Sequence, residues 1–443
     1  MSNYNNPFKD KKITVMGLGL LGGALNDAIF LAKHGAILTI TDLKTETELE
    51  SSLMKLKKFN NIKYVLGGHD IKDFQNADMI LQPGNIREDS PYLVEARKNN
   101  IPIFVSESLF IKYAEGIKVV GVTGTRGKTM TTMLIYEILS KSIKDKKVYL
   151  GGNIRNTSTL AILNKVKSGD IVVMELDSWA LHGVGDLKIS PHISVFTSFM
   201  EDHMNHYKGD MEAYFNDKAN IFKYQNKEDF LIINPNLNRL IKKNSTLAQL
   251  IKGNVKEVEN FKFGVPGEHQ RMNLALAHEV AKLFYIKESI VKKIVKDFRG
   301  VEGRLEFSRE YKGIKIYNDN NATTPEATIA GINAFTLKPN QKLILICGGA
   351  TKNIKLDNFV KNINQKVSRM YLIPGTGTEE LLKFKLKTEL IQNADFKTLI
   401  KEAVKGAKKR DVVLFSPAFA SFGMFNNEYD RNDQFIKIIN GLK

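Results

Sequence analysis

The stretch Gly121-Val122-Thr123-Gly124-Thr125-Arg126-Gly127-Lys128-Thr129 holds residues whose types and order suit phosphate chemistry. An apolar run, Ile117 to Val122, leads in as a strand, and a helical pattern from Met130 to Leu139 follows. A strand, a tight turn and a helix N-terminus together form an anion site, because turn N–H groups aim at phosphate oxygens and the helix dipole adds to them. In such a loop Lys128 reaches the β- and γ-phosphates, and the Thr129 hydroxyl holds Mg²⁺. The common pattern opens on a glycine at the position that Val122 occupies here, and the nearest glycines are Gly121 and Gly124. A glycine-rich turn before a helix also serves as plain punctuation. Gly-Lys-Thr at a strand-to-helix junction favours ATP or GTP over that reading.

Two further strand ends carry reactive groups. Ile171 to Met174 is apolar and β-branched and ends at Glu175, then Leu176, Asp177, Ser178 and Trp179. A carboxylate at the end of a buried strand, downstream of a phosphate loop, is well placed for Mg²⁺, whereas without that context it is an ordinary solvated cap. His192 to Ser198 reads as another strand and leads into Glu201-Asp202-His203-Met204-Asn205-His206. His203 or His206 could ligate a metal or contact phosphate; either alone is by default a hydrogen-bonded loop histidine. No zinc-type ligand spacing is present. Asp217 to Phe222 reads as helix, and Lys218 within it is by composition an ordinary surface lysine.

The elements that must position these groups alternate between strand and helix along the whole chain, which predicts α/β layers with parallel sheets. At the N-terminus, a strand from Lys12 to Met16 meets Gly17-Leu18-Gly19-Leu20-Leu21-Gly22. A helix from Ala24 to Lys33 and a strand from Ala36 to Thr41 follow, ending at Asp42. This is the Rossmann order, with an acid after the second strand, and it places a nucleotide-like group at the strand end without saying which. Strands at Met79–Leu81 and Ile101–Val105 continue the unit.

Bulk composition narrows the setting. A chain of 443 residues is expected to hold several domains. It has no apolar run of membrane-spanning length and no secretory signal in its polar, basic first residues. Its only cysteine, Cys347, permits no internal disulfide, so a cytoplasmic chain is expected. The net charge of +17 comes from dispersed lysines, which argues for a solvated basic surface and anionic small substrates rather than nucleic acid.

The whole chain resembles the Mur ligases. Its phosphate loop is similar to the family's GVTGTNGKTTT, with Arg126 in place of Asn. Gly152-Asn153-Ile154 resembles GNIG, MELDSWAL with Glu175 resembles VELSSFQL, and EDHMNHY with His203 resembles DHLDRH. Gly267-Glu268-His269-Gln270-Arg271-Met272-Asn273 resembles GxHNxxN, Gly303-Arg304-Leu305-Glu306 resembles HRxE, and Asn318-Asp319 begins a match to NDSKATN. Gly348-Gly349-Ala350-Thr351-Lys352 resembles GGxxK, and the segment from Ser416 to Phe422 resembles SPAxASFD.

The resemblance implies three domains: a Rossmann-like UDP-sugar domain (1–115), a central ATPase domain with a mainly parallel sheet (116–300) and a Rossmann-like amino-acid domain (301–443). It implies ATP-dependent amide ligation through an acyl phosphate, adding D-glutamate to UDP-N-acetylmuramoyl-L-alanine during peptidoglycan precursor synthesis, by a monomer without membrane insertion. Implied ATP contacts are Gly124, Thr125, Arg126, Gly127, Lys128, Thr129, Asn273, Arg304 and Asp319. Leu20, Asp42, Lys44, Asn153 and His203 fall at UDP-substrate positions, and Thr323, Lys352 and Ser421 at amino-acid positions. Lys128, Glu175, His203 and Lys218 are the implied catalytic residues. Thr129, Glu175, His203 and Lys218 would hold two Mg²⁺ ions, with Lys218 carbamylated by CO₂.

Besides Arg126, four positions depart from the family pattern: Gln270, Gly303, Asn321 (a lysine in NDSKAT) and Glu428, where the amino-acid pocket has an aromatic residue. An added carboxylate and a lost lysine both oppose an acidic acceptor, so another amino acid stays open as substrate. A folylpolyglutamate-synthase-like ligase shares the ATP core but lacks a first domain of this kind. A nicotinamide dehydrogenase accounts for the first glycine-rich turn but not for Lys128, Glu175 and Lys218. Asn321 keeps open a nucleotide-binding regulator without turnover.

Overall fold

The computed structural model describes residues 6–19, 22–84, 86–154, 158–352 and 354–442. Three sheets follow one another along the chain. The first contains β1 (Lys12–Met16), β2 (Ile37–Asp42), β3 (Ile62–Leu66), β4 (Met79–Leu81) and β5 (Ile103–Phe104), ordered β3-β2-β1-β4-β5. Every pairing in it is parallel. The second contains β6 (Lys118–Thr123), β7 (Val148–Gly152), β8 (Ile171–Glu175), β9 (Ile193–Phe196), β10 (Phe230–Ile233) and β11 (Gln249–Lys252), ordered β11-β10-β9-β6-β8-β7 and again parallel throughout. The third contains β12 (Glu306–Tyr311), β13 (Ile314–Asn318), β14 (Leu343–Gly348), β15 (Arg369–Ile373), β16 (Glu389–Gln392) and β17 (Val412–Phe415), ordered β12-β13-β17-β14-β15-β16. Only β12, at its edge, runs antiparallel to its neighbour.

The fold is thus α/β, with Rossmann-like sheets before and after a central parallel sheet in the chain. Parallel strands are covered on both faces and so read as continuous apolar runs. β8, β9, β14 and β17 are buried at every residue. Helices do the covering, and they show the complementary pattern of one apolar stripe.

The chain forms two compact units, residues 1–258 with 272–291, and residues 259–271 with 292–443. Within the first unit one hydrophobic cluster runs from Phe8 and Val15 through Phe110 and Leu181 to Leu231, joining the layers of the first two sheets. In the second unit, two clusters lie against the third sheet, one around Leu345 and Leu414 and one around Ile346 and Phe415. Among the described residues no helix is long and apolar enough to cross a membrane.

Several element limits differ from those read in the sequence. The helix after the phosphate loop spans Lys128–Ser142, because Gly127 takes a left-handed φ of 88° and starts it early. The strand expected over 192–198 stops at Phe196, since Thr197 and Ser198 turn to bind the phosphate loop. The strand expected over 101–105 is only Ile103–Phe104. The helix expected over 217–222 is the end of Met211–Ala219, whose Asp210 caps the N–H groups of Glu212 and Ala213.

Gly152 ends β7 at φ 87°, and a Cβ there would stand 2.0 Å from the Glu175 carbonyl oxygen. Gly169 has nearly the same φ of 88° but meets nothing closer than 3.8 Å. Gly169→Ala is expected to cost about 1 kcal/mol, the left-handed strain alone. Gly152→Ala should cost clearly more, about 2–3 kcal/mol or above. Denaturant unfolding of the two variants checks the difference.

Candidate active site

The phosphate loop follows β6 and is held from outside by the end of β9. Thr125 N donates to Ser198 O (2.8 Å) and Arg126 N to Ser198 Oγ (2.8 Å). Thr197 Oγ1 donates to Arg126 O at 2.6 Å. The N-cap of the Lys128–Ser142 helix is Gly127, which has no side chain to cap it, so the helix N-terminus is of the kind that receives anions. Thr129 lies half-buried in that first turn. A Cβ on Gly127 would stand 2.5 Å from Asn273 Oδ1, so Asn273 closes on the loop where only glycine leaves room.

Two lysines converge on one carbonyl. Lys128 Nζ donates to Gly124 O at 2.9 Å and to Thr125 O at 3.3 Å. Lys218 Nζ donates to the same Gly124 O at 3.1 Å, lies over the Tyr214 ring, and is 1% exposed. Burial is the main reason its ammonium falls to about 7; the Lys128 charge lowers it further, against Asp177, Asp202 and Glu175. At neutral pH a large fraction of Lys218 is therefore the unprotonated amine. A lysine that composition could not distinguish from a surface residue is in fact the most deeply buried cation of the first unit's site.

Glu175 ends β8, 4% exposed, in register with Val122 of β6 and Gly152 of β7. Asn153 N donates to Glu175 O (3.0 Å), and Asn153 Nδ2 to Asp177 Oδ2 (3.2 Å). His203 has a left-handed φ of 55°, with its ring 4.8 Å from that of Trp179. Burial lowers its pKa first; Asp202 opposes this, and Lys128 and Lys218 add to it. His206 packs edge-on against the same indole. Arg126 pairs with Asp202 at 2.8 Å, so the residue that replaces asparagine in the loop ties it to the His203 turn.

Among the described residues no group of three or more His, Cys, Asp and Glu side chains is gathered for a metal ion. The donor set nonetheless suits Mg²⁺, which takes few carboxylates and completes its shell with phosphate oxygens and water. Thr129 and Glu175 are donors of that kind.

In the first sheet, Asp42 Oδ2 accepts from Leu18 N (2.8 Å) and Gly19 N (3.1 Å), and Oδ1 from Lys44 N (2.9 Å). Asp42 therefore shapes the glycine-rich turn, with Lys44 half-buried beside it. Leu20 lies outside the described residues.

The second unit carries the other sequence-singled residues. Asp319, just after β13, is buried; its Oδ1 accepts from Leu305 N (3.0 Å) and its Oδ2 from Ser416 Oγ (2.8 Å). Arg304 is exposed next to Leu305. Lys352 Nζ donates to Thr323 Oγ1 at 2.9 Å, and an Ala350–Ala420 bridge brings its loop beside Ser421, which is buried. Two departures touch: a Cβ on Gly303 would stand 3.0 Å from Asn321 Oδ1.

Sequence reasoning missed Arg431, which is fully buried and donates to Asn320 Oδ1 (2.8 Å), Asn320 O (3.1 Å) and Phe419 O (3.3 Å). Burial pulls it down to about 10, with Glu428 opposing. Burial also lowers Lys352, again opposed by Glu428. The signal was present: one turn separates Glu428 from Arg431 on the Glu428–Asn440 helix. Asp177 and Tyr207 lie inside motif segments but were given no role, and Tyr214 and His182 were marked by no motif.

Fold and site together define an α/β nucleotide-binding enzyme of the phosphate-loop ligase type. Residues 122–257 match the Mur ligase middle domain and residues 303–419 the Mur ligase glutamate ligase domain. The chain is 34% identical to the UDP-N-acetylmuramoylalanine–D-glutamate ligase of Borreliella afzelii over 98% of each chain. It is 32% identical to the enzyme of that name from Roseiflexus, over 97% of this chain and 98% of the relative. The UDP-N-acetylmuramate–alanine ligase structure from Thermotoga maritima shares the fold, with a TM-score of 0.59 at 17% identity over 98% of this chain and all of that one. The chain belongs to the Mur ligase family, as a homologue of UDP-N-acetylmuramoylalanine–D-glutamate ligase.

The carboxyl of Asp319 is raised to about 7 from its ordinary 3.8, chiefly by burial, with Ser416, Leu305 and Arg304 opposing. The folded state thus keeps a proton that the unfolded chain has released, and the stability it confers falls as pH rises from about 4 to 7. Asp319→Asn is expected to flatten that part of the profile and to gain on the order of 2–4 kcal/mol at pH 8. Urea unfolding across the pH series checks it.

Proposed function

We propose that this chain joins D-glutamate to UDP-N-acetylmuramoyl-L-alanine with ATP, forming ADP and phosphate, in peptidoglycan precursor synthesis. The carrying observation is the convergence of Lys128 and Lys218 on Gly124 O below an uncapped helix N-terminus, with Glu175 on the adjoining strand. Full-length likeness to enzymes of that name supports the choice of substrates. The functional division follows the three sheets, with limits near 115 and 300.

A carboxylate does not expel oxide. Transfer of the γ-phosphoryl group to the substrate carboxylate gives an acyl phosphate, whose leaving group is phosphate. The two reacting groups are both anionic, so the chain must supply positive charge where they meet. Lys128 and the helix N-terminus supply part of it, already oriented and without reorganisation. Thr129, Glu175 and a carboxylated Lys218 would hold Mg²⁺, with His203 as a further donor, and the ions would offset phosphate and carboxylate charge. The unprotonated Lys218 amine is fit to attack CO₂, giving an N-carboxylate and releasing one proton. Loop glycines and Thr125, with Arg126 pinned to Asp202, surround the phosphates, and Asn273, Arg304 and Asp319 complete the nucleotide contacts. Asp42, Lys44, Asn153 and Leu20 serve the UDP substrate. Lys352, Thr323 and Ser421 hold the acceptor's carboxylates. We assign the reaction to the cytoplasm, where ATP is available, and the chain to a monomer.

Phosphate release is measured with ATP, Mg²⁺, bicarbonate, UDP-N-acetylmuramoyl-L-alanine and single amino acids. Release that requires D-glutamate, with a product heavier by that residue, is expected. Release with another amino acid reassigns the acceptor through Asn321 and Glu428, and ATP binding without release favours a regulator. Removing CO₂ from the buffers is expected to lower turnover at least about tenfold, on the scale of losing a metal-site partner. Native mass spectrometry should show one CO₂ on the wild type and none on Lys218→Met.

A further inference from the structure

Lys218 donates to a buried carbonyl. The residue before it ties the helix that carries it to a neighbouring helix. Asp217, on the Met211–Ala219 helix, has both carboxylate oxygens engaged. His182 Nδ1 lies 2.8 Å from Oδ1, and Tyr207 Oη donates to Oδ2 at 3.0 Å. His182 comes from the Ser178–Asp186 helix, whose N-cap, Asp177, follows Glu175 by two residues. The other ring nitrogen, His182 Nε2, is 3.5 Å from Glu88 Oε1 in the segment after β4 of the first sheet. Glu88 is in turn paired with Arg97, whose Nη1 donates to the Glu88 carbonyl at 2.9 Å. Glu88, Arg97, His182, Asp186, His206 and Asp217 line one cleft.

We infer that His182 is a positioning residue for the ligase reaction: through Asp217 it sets the rotation of the Lys218 helix and so the placement of the Lys218 amine at Gly124. The inference rests on the proposed role of Lys218. Asp217 and Lys218 are consecutive and point about 100° apart around the helix, so a clamp on one fixes the azimuth of the other. A small misplacement of a group that must meet a reacting centre costs far more rate than stability. Residues that orient a metal-site ligand from behind commonly carry about 10–100-fold of activity.

Two substitutions separate the two ring nitrogens. Asparagine places its amide nitrogen near Nδ1 and keeps the donor to Asp217, whereas glutamine reaches towards Glu88 and loses it. His182→Asn is expected to keep kcat within about threefold of wild type. His182→Gln should lower kcat about 10-fold or more with KM for ATP little changed, and raise the bicarbonate concentration needed for half-maximal rate. Thermal midpoints, read alongside, register any purely structural tie between the helices. Acylation of Lys218 by an amine-directed reagent, followed by mass spectrometry, reads its placement without any turnover. Faster labelling in His182→Gln than in wild type and His182→Asn supports the inference, even if D-glutamate ligation or the CO₂ dependence of the wild type fails. Equal labelling and equal kcat in all three proteins overturn it. The reverse order, with His182→Asn the damaged variant, also overturns it and makes Glu88 the partner that matters.

Discussion

The first unit is organised around an electrostatic conflict: two ammonium groups share one carbonyl oxygen, and one of them is buried. Lys128 and Lys218 both donate to Gly124 O, and Lys218 has almost no water to solvate it. Desolvation and like charge each disfavour the protonated amine, which brings Lys218 to about 7. Such an arrangement costs folding free energy and persists only where surrounding structure over-determines it. Here the surroundings are the Tyr214 ring below the amine, Thr125 Oγ1 within 3.3 Å of Tyr214 Oη, and the β9 end that grips the loop. Asp177, Asp202 and Glu175 oppose this effect at Lys218, and the proposed reaction brings further anions, phosphate and a substrate carboxylate.

Parallel topology explains why these groups meet. β9, β6 and β8 are neighbours in the second sheet and run the same way, so their C-terminal ends lie side by side. The phosphate loop, Glu175 and the turn to His203 leave from those three ends. Ligands in open parallel sheets gather outside the carboxyl ends of strands for this reason. The third sheet repeats the rule, with β13, β17 and β14 adjacent and delivering Asp319, Ser416 and the Gly348–Gly349 turn.

Two departures from the family pattern touch each other, and a third ties its loop to a residue that matches the pattern. Arg126 replaces an asparagine and finds Asp202. Gly303 and Asn321 replace a histidine and a lysine, and the two positions abut, with Asn321 N bonded to Gly303 O at 2.9 Å. Glu428 lies half-buried at the start of its helix, and its charge acts on Lys352 and Arg431. Coupled charges are read together, so Glu428 is weighed with those two cations.

The order of strands and helices, the two glycine-rich turns and the α/β class were legible in the sequence, because buried parallel strands are unbroken apolar runs and phosphate turns need glycine at set positions. Glu175 and Asp42 could be singled out because each ends a strand, and Lys128 because it follows the glycine-rich turn after one. Element limits were less legible: Gly127 starting its helix early and Thr197 leaving β9 depend on contacts from distant residues. Composition said nothing of the burial of Lys218, the Asp319 carboxyl held by Ser416 from another strand, the Arg431 clamp on Asn320, or the His182–Asp217 pair. Each depends on side chains far apart in the chain meeting where water is excluded. Local sequence determined the elements and their turns; only tertiary packing, which sets desolvation and charge proximity, decided which polar residues are buried together and therefore which of them can do chemistry.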